Sequence, residues 1–380
     1  MKVLVTADID RRIEKEFPSI QFDYMGYAVD PHIPSTHEEI RSAIGGYDFL
    51  ISEFDTIDQD ILDAASKLKM IICCRGGVRT VIDIPYAAKK GIIVKNTPGR
   101  NAVSVAEYVL GVIFNSDRHL AKANDLVLSD SLQNEKFILP EKYKDSLWGM
   151  DSNSPYHSLR GKGLHYLTLG VIGYGTVGRV VVNMSILLGI HVLVYNHHPI
   201  ISPIPAGVEV VDRDYLLSHS DYVSLHCNNR EHKVVMGKEE FSKMKEGAYF
   251  INTARGDLVD EDALIEALDT GHLGGAALDV TRHEPLLPHD PLISAKNIFI
   301  TPHIAGATDE VIQNGTDMAI YHLRESCGDL GIILILILYL EKFRLRMRHW
   351  IGVEIMTKLG NGGILEMIIY FKTILLLKTG

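Results

Sequence analysis

The stretch Leu169-Gly170-Val171-Ile172-Gly173-Tyr174-Gly175-Thr176-Val177-Gly178 decides how this chain is read. An apolar run of strand length ends in G-x-G-x-x-G, and a helix-compatible run follows through Val180, Val181 and Leu187. The glycine pattern alone is weak. Between a strand and a helix it meets the context that a dinucleotide-binding turn requires. Gly173 permits the tight turn, Gly175 lets the backbone approach a pyrophosphate, and Gly178 lets the helix pack close to the strand. The free N–H groups around Thr176 and Val177, at the positive end of the helix dipole, then suit phosphates.

The next strand, expected at His191–Tyr195, should end in an acid that holds ribose hydroxyls. Asn196 stands there instead, followed by His197 and His198. An amide can bond a ribose but lacks the charge that repels a 2′-phosphate. NAD is the first expectation, and NADP remains open.

Outward from the fingerprint the chain alternates apolar strand-like runs with helical patterns, the rhythm of parallel sheets with crossover helices. Upstream, strands are expected at Val3–Thr6, Phe49–Ser52, Met70–Cys73 and Ile92–Val94, with helices at Glu38–Ile44 and Ile61–Leu68. Pro98-Gly99 breaks the rhythm, and a long helix is expected from Asn101 toward Ala121. Downstream, strands are expected at Leu169–Ile172, His191–Tyr195, Tyr222–Leu225, Ala248–Asn252, Gly275–Leu278 and Asn297–Thr301. Asp260–Leu268, with an acidic start and Ala263, Leu264, Ala267 and Leu268 at helical spacing, is the clearest helix.

Composition narrows the class. The 380 residues suffice for two domains, and 46% hydrophobic with 23% charged residues is globular usage. A formal net charge of −10 argues against a nucleic-acid partner. Cys73, Cys74, Cys227 and Cys327 show no metal-site or disulfide spacing, so no metal and reduced thiols in the cytoplasm are expected. The N-terminus lacks a signal-peptide layout. The longest purely apolar run, Ile332–Leu340, is far below the ~18 residues that span a bilayer.

In open parallel sheets, ligands sit at the carboxyl ends of the strands. Those ends supply Thr253, Ala254 and Arg255 after one strand, Asp279 and then Glu284 after the next, and His303 after the last. Histidine suits a group that takes a hydroxyl proton near neutral pH, and a carboxylate partner fixes its ring. A guanidinium can bind a carboxylate with two parallel bonds and polarise a neighbouring carbonyl. Arg255, Glu284 and His303 are therefore the candidate catalytic set for moving a hydride to or from a 2-hydroxy or 2-oxo acid.

With these residues in place the chain resembles the D-isomer-specific 2-hydroxyacid dehydrogenases. The resemblance rests on Cys74-Arg75-Gly76-Gly77, Asn96-Thr97-Pro98-Gly99-Arg100-Asn101, Val105-Ala106-Glu107, the glycine fingerprint and Ser224-Leu225-His226-Cys227. It continues through Asn252-Thr253-Ala254-Arg255-Gly256, Leu258-Val259-Asp260-Glu261, Ala277-Leu278-Asp279-Val280 with Glu284-Pro285-Leu286, and Thr301-Pro302-His303-Ile304-Ala305-Gly306. It covers roughly residues 45 to 325.

The resemblance implies a Rossmann NAD-binding domain inserted into a flavodoxin-like substrate domain, both α/β with doubly wound parallel sheets. The substrate domain would take residues 1–99 and 302–328 and the cofactor domain 100–301, leaving 329–380 as an atypical apolar tail. The resemblance also implies roles. Arg255 would bind the substrate carboxylate and carbonyl, His303 would be the acid/base with Glu284 as partner, and Asp279 would hold the nicotinamide amide. Arg75, Gly76, Gly77 and Val78 would present N–H groups to the substrate. Cys227, Thr253, Ala254 and Gly306 join the fingerprint and Asn196 around the cofactor, and a homodimer is implied.

The chain departs from the pattern at Asn196, at Asn228 after Cys227, and at Gly163–Leu167, which is expected to lengthen the fingerprint strand or bulge before it. Phosphoglycerate-type activity is the first assignment and hydroxypyruvate or glyoxylate reduction the second. Formate oxidation is disfavoured, because that branch resembles this pattern with an amide in place of Glu284. The alternative of another class is an NAD(H)-sensing corepressor-like binding protein of the same fold.

Overall fold

The structure, a computed structural model, describes residues 1–30, 32–129, 154–227 and 233–327. Asn228 and the tail from residue 329 on, both singled out above, lie outside them. Chain contacts define one compact unit from Met1 to Ala319 and another from Ile320 to Gly380. Both sheets belong to the first.

The first sheet takes β1 (Lys2–Val5), β2 (Gln21–Tyr24), β3 (Phe49–Ser52), β4 (Met70–Cys73) and β5 (Ile93–Asn96). Every pair is parallel and the order is β2-β1-β3-β4-β5, the flavodoxin-like arrangement. Helices α1 (His37–Ile44), α2 (Gln59–Ala64) and α3 (Ile84–Lys89) connect its strands. Each starts where its sequence supplies a cap. Thr36 forms a reciprocal box with Glu39, while Asp58 and Asp83 accept from the amides of Ile61 and Tyr86. β3 and β4 are buried along their whole length, as strands covered on both faces must be.

The chain then enters α4 (Ala102–Asp117) and α5 (Leu120–Leu128). The single long helix expected from Asn101 to Ala121 is instead broken at His119, whose φ of 52° is left-handed. α4 belongs to the second sheet: Val109, Leu110 and Ile113 share a core with Leu169, Val181 and Val192.

That second sheet takes β6 (Thr168–Ile172), β7 (His191–Tyr195), β8 (Val208–Val210), β9 (Tyr222–Leu225), β10 (Tyr249–Asn252), β11 (Gly275–Leu278) and β12 (Ile298–Ile300). The order is β12-β11-β10-β9-β6-β7-β8, all parallel. Numbered from the first strand of this sheet, that is the doubly wound Rossmann order, which reverses between β6 and β9. Its crossovers include α6 (Thr176–Leu187), α7 (Arg213–His219), α8 (Lys238–Lys243) and α9 (Glu261–Asp269). One face packs on α4 and α6, and the other buries Leu216, Phe241, Phe250 and Leu264.

The edge strands β2 and β8, not expected from the sequence, carry too few apolar residues to stand out. Of the two alternatives for Gly163–Leu167, the chain does not lengthen β6: it forms a 3-10 turn at Leu164–Tyr166 just before it. Val78 is buried in the core of the first sheet, which leaves its backbone for the role the resemblance gives it.

The last helix, α10 (Asp309–Cys327), begins on the way back to the first sheet. Thr316 Oγ1 accepts from the Asp10 amide at 2.9 Å, and Asp317 pairs with Arg12 at 2.8 Å. The chain thus returns past the second sheet to pack on the first. Phe250, fully buried and edge-on to Phe241 at 5.3 Å between centroids, anchors the α8–α9 side. Phe250→Ala should cost about 3–5 kcal/mol, read as a lowered midpoint in denaturant unfolding.

Candidate functional site

The fingerprint turn leaves β6 at the point where strand order reverses. Gly173 has φ of 102°, which side-chain-bearing residues rarely adopt, and a Cβ there would lie 2.7 Å from the His226 backbone. A Cβ on Gly178 would meet the Gly173 carbonyl oxygen at 2.0 Å, so this helix and turn approach as closely as the sequence predicts. A Cβ on Gly175, by contrast, would meet nothing within 4 Å. This backbone therefore stands open above the N-terminus of α6, where Thr176 and Val177 begin the helix. The arrangement fits a pyrophosphate.

Asn196 ends β7 beside this turn, but its amide is engaged within the protein. Its Oδ1 accepts from Tyr174 N at 2.9 Å and its Nδ2 donates to the His198 carbonyl at 2.7 Å. After β9, Cys227 is part-buried, and burial pushes its thiol up from the usual range. After β10, Asn252 ties the turn together: its Oδ1 accepts from Ala254 N at 2.9 Å and its Nδ2 donates to the Arg255 carbonyl at 2.8 Å. Thr253 Oγ1 is buried with no hydrogen-bond partner among the described residues. A buried orphan hydroxyl at a strand end fits a polar ligand there.

Arg255 is exposed, and its Nη1 donates to the carbonyl of Ala254 at 2.6 Å. Glu284 and His303 are brought together from separate turns: His303 Nδ1 lies 2.8 Å from Glu284 Oε2. The pair is half-exposed, at 50% and 40% of the side chains. His303 itself has φ of 57°.

Asp279, at the end of β11, is 2% exposed. Its carboxylate accepts from Thr301 Oγ1 at 2.7 Å, Ile304 N at 2.8 Å and Ala305 N at 2.9 Å, and its carbonyl accepts from His303 N at 2.8 Å. In this structure Asp279 holds the loop that carries His303. Tyr108 on α4 extends the network, its hydroxyl 2.6 Å from Thr301 Oγ1. Sequence reading missed this contact, because nothing local in Val105–Leu110 points to residue 301.

The two crossings between the sheets run side by side. Ser104 Oγ lies 2.7 Å from Thr308 Oγ1, Asn314 donates to the Arg100 carbonyl at 2.9 Å, and Gly306 packs against Asn101. Arg100 also pairs with the buried Glu53 at the end of β3. Burial holds the Glu53 carboxyl above the usual range, with Arg100 pulling it back. In the first sheet, the Arg75 guanidinium lies 5.1 Å over the ring of Phe54. The Gly76 carbonyl accepts from Asn96 Nδ2 at 2.6 Å, and Gly76 and Gly77 are open on their Cβ side.

A family model described as the NAD binding domain of D-isomer specific 2-hydroxyacid dehydrogenases matches residues 137–305. The chain is 34% identical over 322 residues to the D-3-phosphoglycerate dehydrogenase of Archaeoglobus fulgidus, covering 83% of this chain and 55% of that protein. It thus spans little more than half the length of that relative. It is 35% identical to the glyoxylate reductase of Thermofilum pendens, covering 76% of this chain and 81% of that protein. Among solved structures, the D-lactate dehydrogenase of Aquifex aeolicus, complexed with NAD and lactic acid, aligns with TM-score 0.63 at 25% identity. That alignment covers 88% of this chain and 97% of that one. Among the described residues no helix is long and apolar enough to cross a membrane.

His226, whose backbone touches Gly173, also titrates unusually. Its Nε2 lies 2.8 Å from Ser224 Oγ, and burial lowers its pKa from 6.5 to about 4. The folded state holds it neutral while the unfolded chain binds a proton below 6.5. Stability is therefore whole above that value and falls as pH drops from about 6.5 toward 4. His226→Gln should flatten this decline, as followed by thermal melts across that window.

Proposed function

The chain belongs to the D-isomer-specific 2-hydroxyacid dehydrogenases, and from this premise we propose that it reduces a 2-oxo acid, or oxidises the 2-hydroxy acid, with Arg255, Glu284 and His303 as the working set. The observation that carries the reading is the 2.8 Å contact of Glu284 with His303 Nδ1, on the same strand-end edge as the fingerprint. With Nδ1 occupied, Nε2 is the nitrogen left to give or take the substrate proton. Glu284 fixes the ring and stabilises the imidazolium that forms on proton uptake. Arg255 supplies a planar fork for the substrate carboxylate, and the open Arg75–Gly77 loop offers further donors.

A nicotinamide cofactor would supply or accept the hydride. Gly173, Gly175, Thr176, Val177 and Gly178 would hold its pyrophosphate, Asn196 would stand near the ribose, and Cys227, Thr253, Ala254, Asp279 and Gly306 would complete the cleft. NAD is the first choice. We place the domain crossings near 98–101 and 301–303, which the paired contacts just beyond them, Ser104 with Thr308 and Arg100 with Asn314, support. Residues 1–99 and 302–328 then form the substrate domain and 100–301 the cofactor domain. Apolar side chains exposed on α5, Leu120, Val127 and Leu128, support a homodimer.

The names of the similar proteins support a substrate of the 3-phosphoglycerate, hydroxypyruvate or glyoxylate class. The test is a panel of the 2-oxo acids of this class, 3-phosphohydroxypyruvate, hydroxypyruvate and glyoxylate, with NADH and NADPH. NADH binding without turnover of any acid would replace the enzyme with a dinucleotide-sensing binding protein. His303→Ala should lower turnover by roughly 10²–10⁴-fold and leave NADH binding unchanged. Near-normal turnover would remove His303 from the mechanism. Asn196→Asp should shift preference toward NAD, since a carboxylate repels a 2′-phosphate. An unchanged NADH-to-NADPH ratio would assign the choice to neighbouring groups.

A further inference from the structure

The Glu284–His303 pair has a mechanical problem. Both side chains are about half exposed, and an exposed, solvent-screened ion pair holds too weakly to fix two loops in one geometry. The loop of His303 is fixed by the buried carboxylate of Asp279. The turn of Glu284 needs its own anchor.

That anchor is visible on α9. Glu261, the first residue of the helix after its Asp260 cap, is 4% exposed. Its Oε1 accepts from the backbone amide of Arg282 at 2.6 Å, and its Oε2 lies 3.4 Å from Arg282 Nε. Arg282 sits inside the turn that presents Glu284. Within that turn Thr281 N donates to Glu284 Oε1 at 3.2 Å, and Thr281 Oγ1 donates to the His283 carbonyl at 2.8 Å. The other side of the turn is braced by backbone: a Cβ on Gly256 would meet the Thr281 carbonyl carbon at 2.0 Å. Burial also holds the Glu261 carboxyl above its usual range, while the Arg282 contacts draw it down.

We propose that Glu261 is a positioning residue for the Glu284–His303 pair, holding the Arg282 amide so that the 281–284 turn keeps Glu284 against the imidazole. Two buried carboxylates then flank the exposed pair. Asp279 fixes the histidine side and Glu261 fixes the glutamate side. Glu261 touches neither substrate nor cofactor in this scheme, and its effect reaches the reaction only through Glu284. The kinetic consequence rests on the catalytic role proposed above, whereas the geometric consequence does not.

The experiment uses the full chain and three variants. Glu261→Met fills the same slot without an acceptor, Glu261→Gln keeps an oxygen for the Arg282 amide, and Glu284→Ala removes the partner itself. The first readout is the ¹⁵N signal of His303 Nδ1, which reports whether its hydrogen bond is made. Glu261→Met should shift it in the direction of Glu284→Ala, and Glu261→Gln should leave it near wild type. The second readout is turnover. Glu261→Met should lower kcat roughly 10–100-fold, the scale of a small misplacement, with the KM for NADH unchanged. Combined with Glu284→Ala it should add no further loss, since the two act through one contact. A folded Glu261→Met protein with wild-type kcat and an unmoved Nδ1 signal would overturn the proposal. So would losses that multiply in the double variant, or a Gln variant as impaired as the Met one. If Glu261→Met gives no cooperative melt, Glu261→Asp, which withdraws the acceptor by one methylene, is read the same way. A wild-type protein that turns over no 2-oxo acid would defeat the functional reading alone, leaving the Nδ1 signal to decide the role of Glu261.

Discussion

The carboxylate of Asp279 is the contact on which the rest of the site depends. It is buried at the end of β11 and takes three hydrogen bonds from a loop that would otherwise have no reason to fold back. A buried carboxylate cannot be left short of donors, because removing one leaves a desolvated charge. The loop from Thr301 to Ala305 is therefore pinned, and with it His303 in a left-handed conformation that costs of order 1–2 kcal/mol for a residue with a side chain. Through Thr301 the same network reaches Tyr108 on α4, just past the first crossing. One buried charge thereby joins the end of the cofactor-type sheet, the return path of the chain and the helix that entered it.

The charges of the site divide by depth. Arg255, Glu284 and His303, the set proposed to meet the substrate, are exposed, and among them only Glu284 and His303 pair. Those that hold the scaffold, Asp279, Glu261 and Glu53, are buried, and each has its donors: loop amides, the Arg282 amide and the Arg100 guanidinium. Exposed groups remain free to exchange a substrate for water, while buried ones keep the geometry between turnovers.

Much of the architecture was legible because parallel strands buried on both faces are written as short continuous apolar runs. Phe49–Ser52, Met70–Cys73, His191–Tyr195, Tyr222–Leu225 and Gly275–Leu278 fall where the sequence places them. Two of the four edges were not legible. Gln21–Tyr24 and Val208–Val210 have one neighbour each and carry polar residues that break the run. The helix break at His119 was equally hidden, since it depends on a left-handed backbone that histidine does not advertise.

The sequence by itself determined which chemical groups stand at strand ends. The glycine turn, Arg255, Glu284 and His303 follow their strands at spacings that parallel-sheet topology converts into one edge. Only the tertiary structure decided how those groups are occupied. Asn196 was readable as a ribose-site residue, yet its amide is spent on Tyr174 and His198. Val78 was readable as part of a substrate loop, yet its side chain completes the core of the first sheet. Asp279 spends its carboxylate on the loop of His303, and Glu261 meets Arg282 across 21 positions of sequence. Hydrogen-bond partners of this kind are chosen by whichever donors are left unsatisfied when separate elements pack. Local sequence carries the donors and acceptors, and the packed chain decides which of them meet.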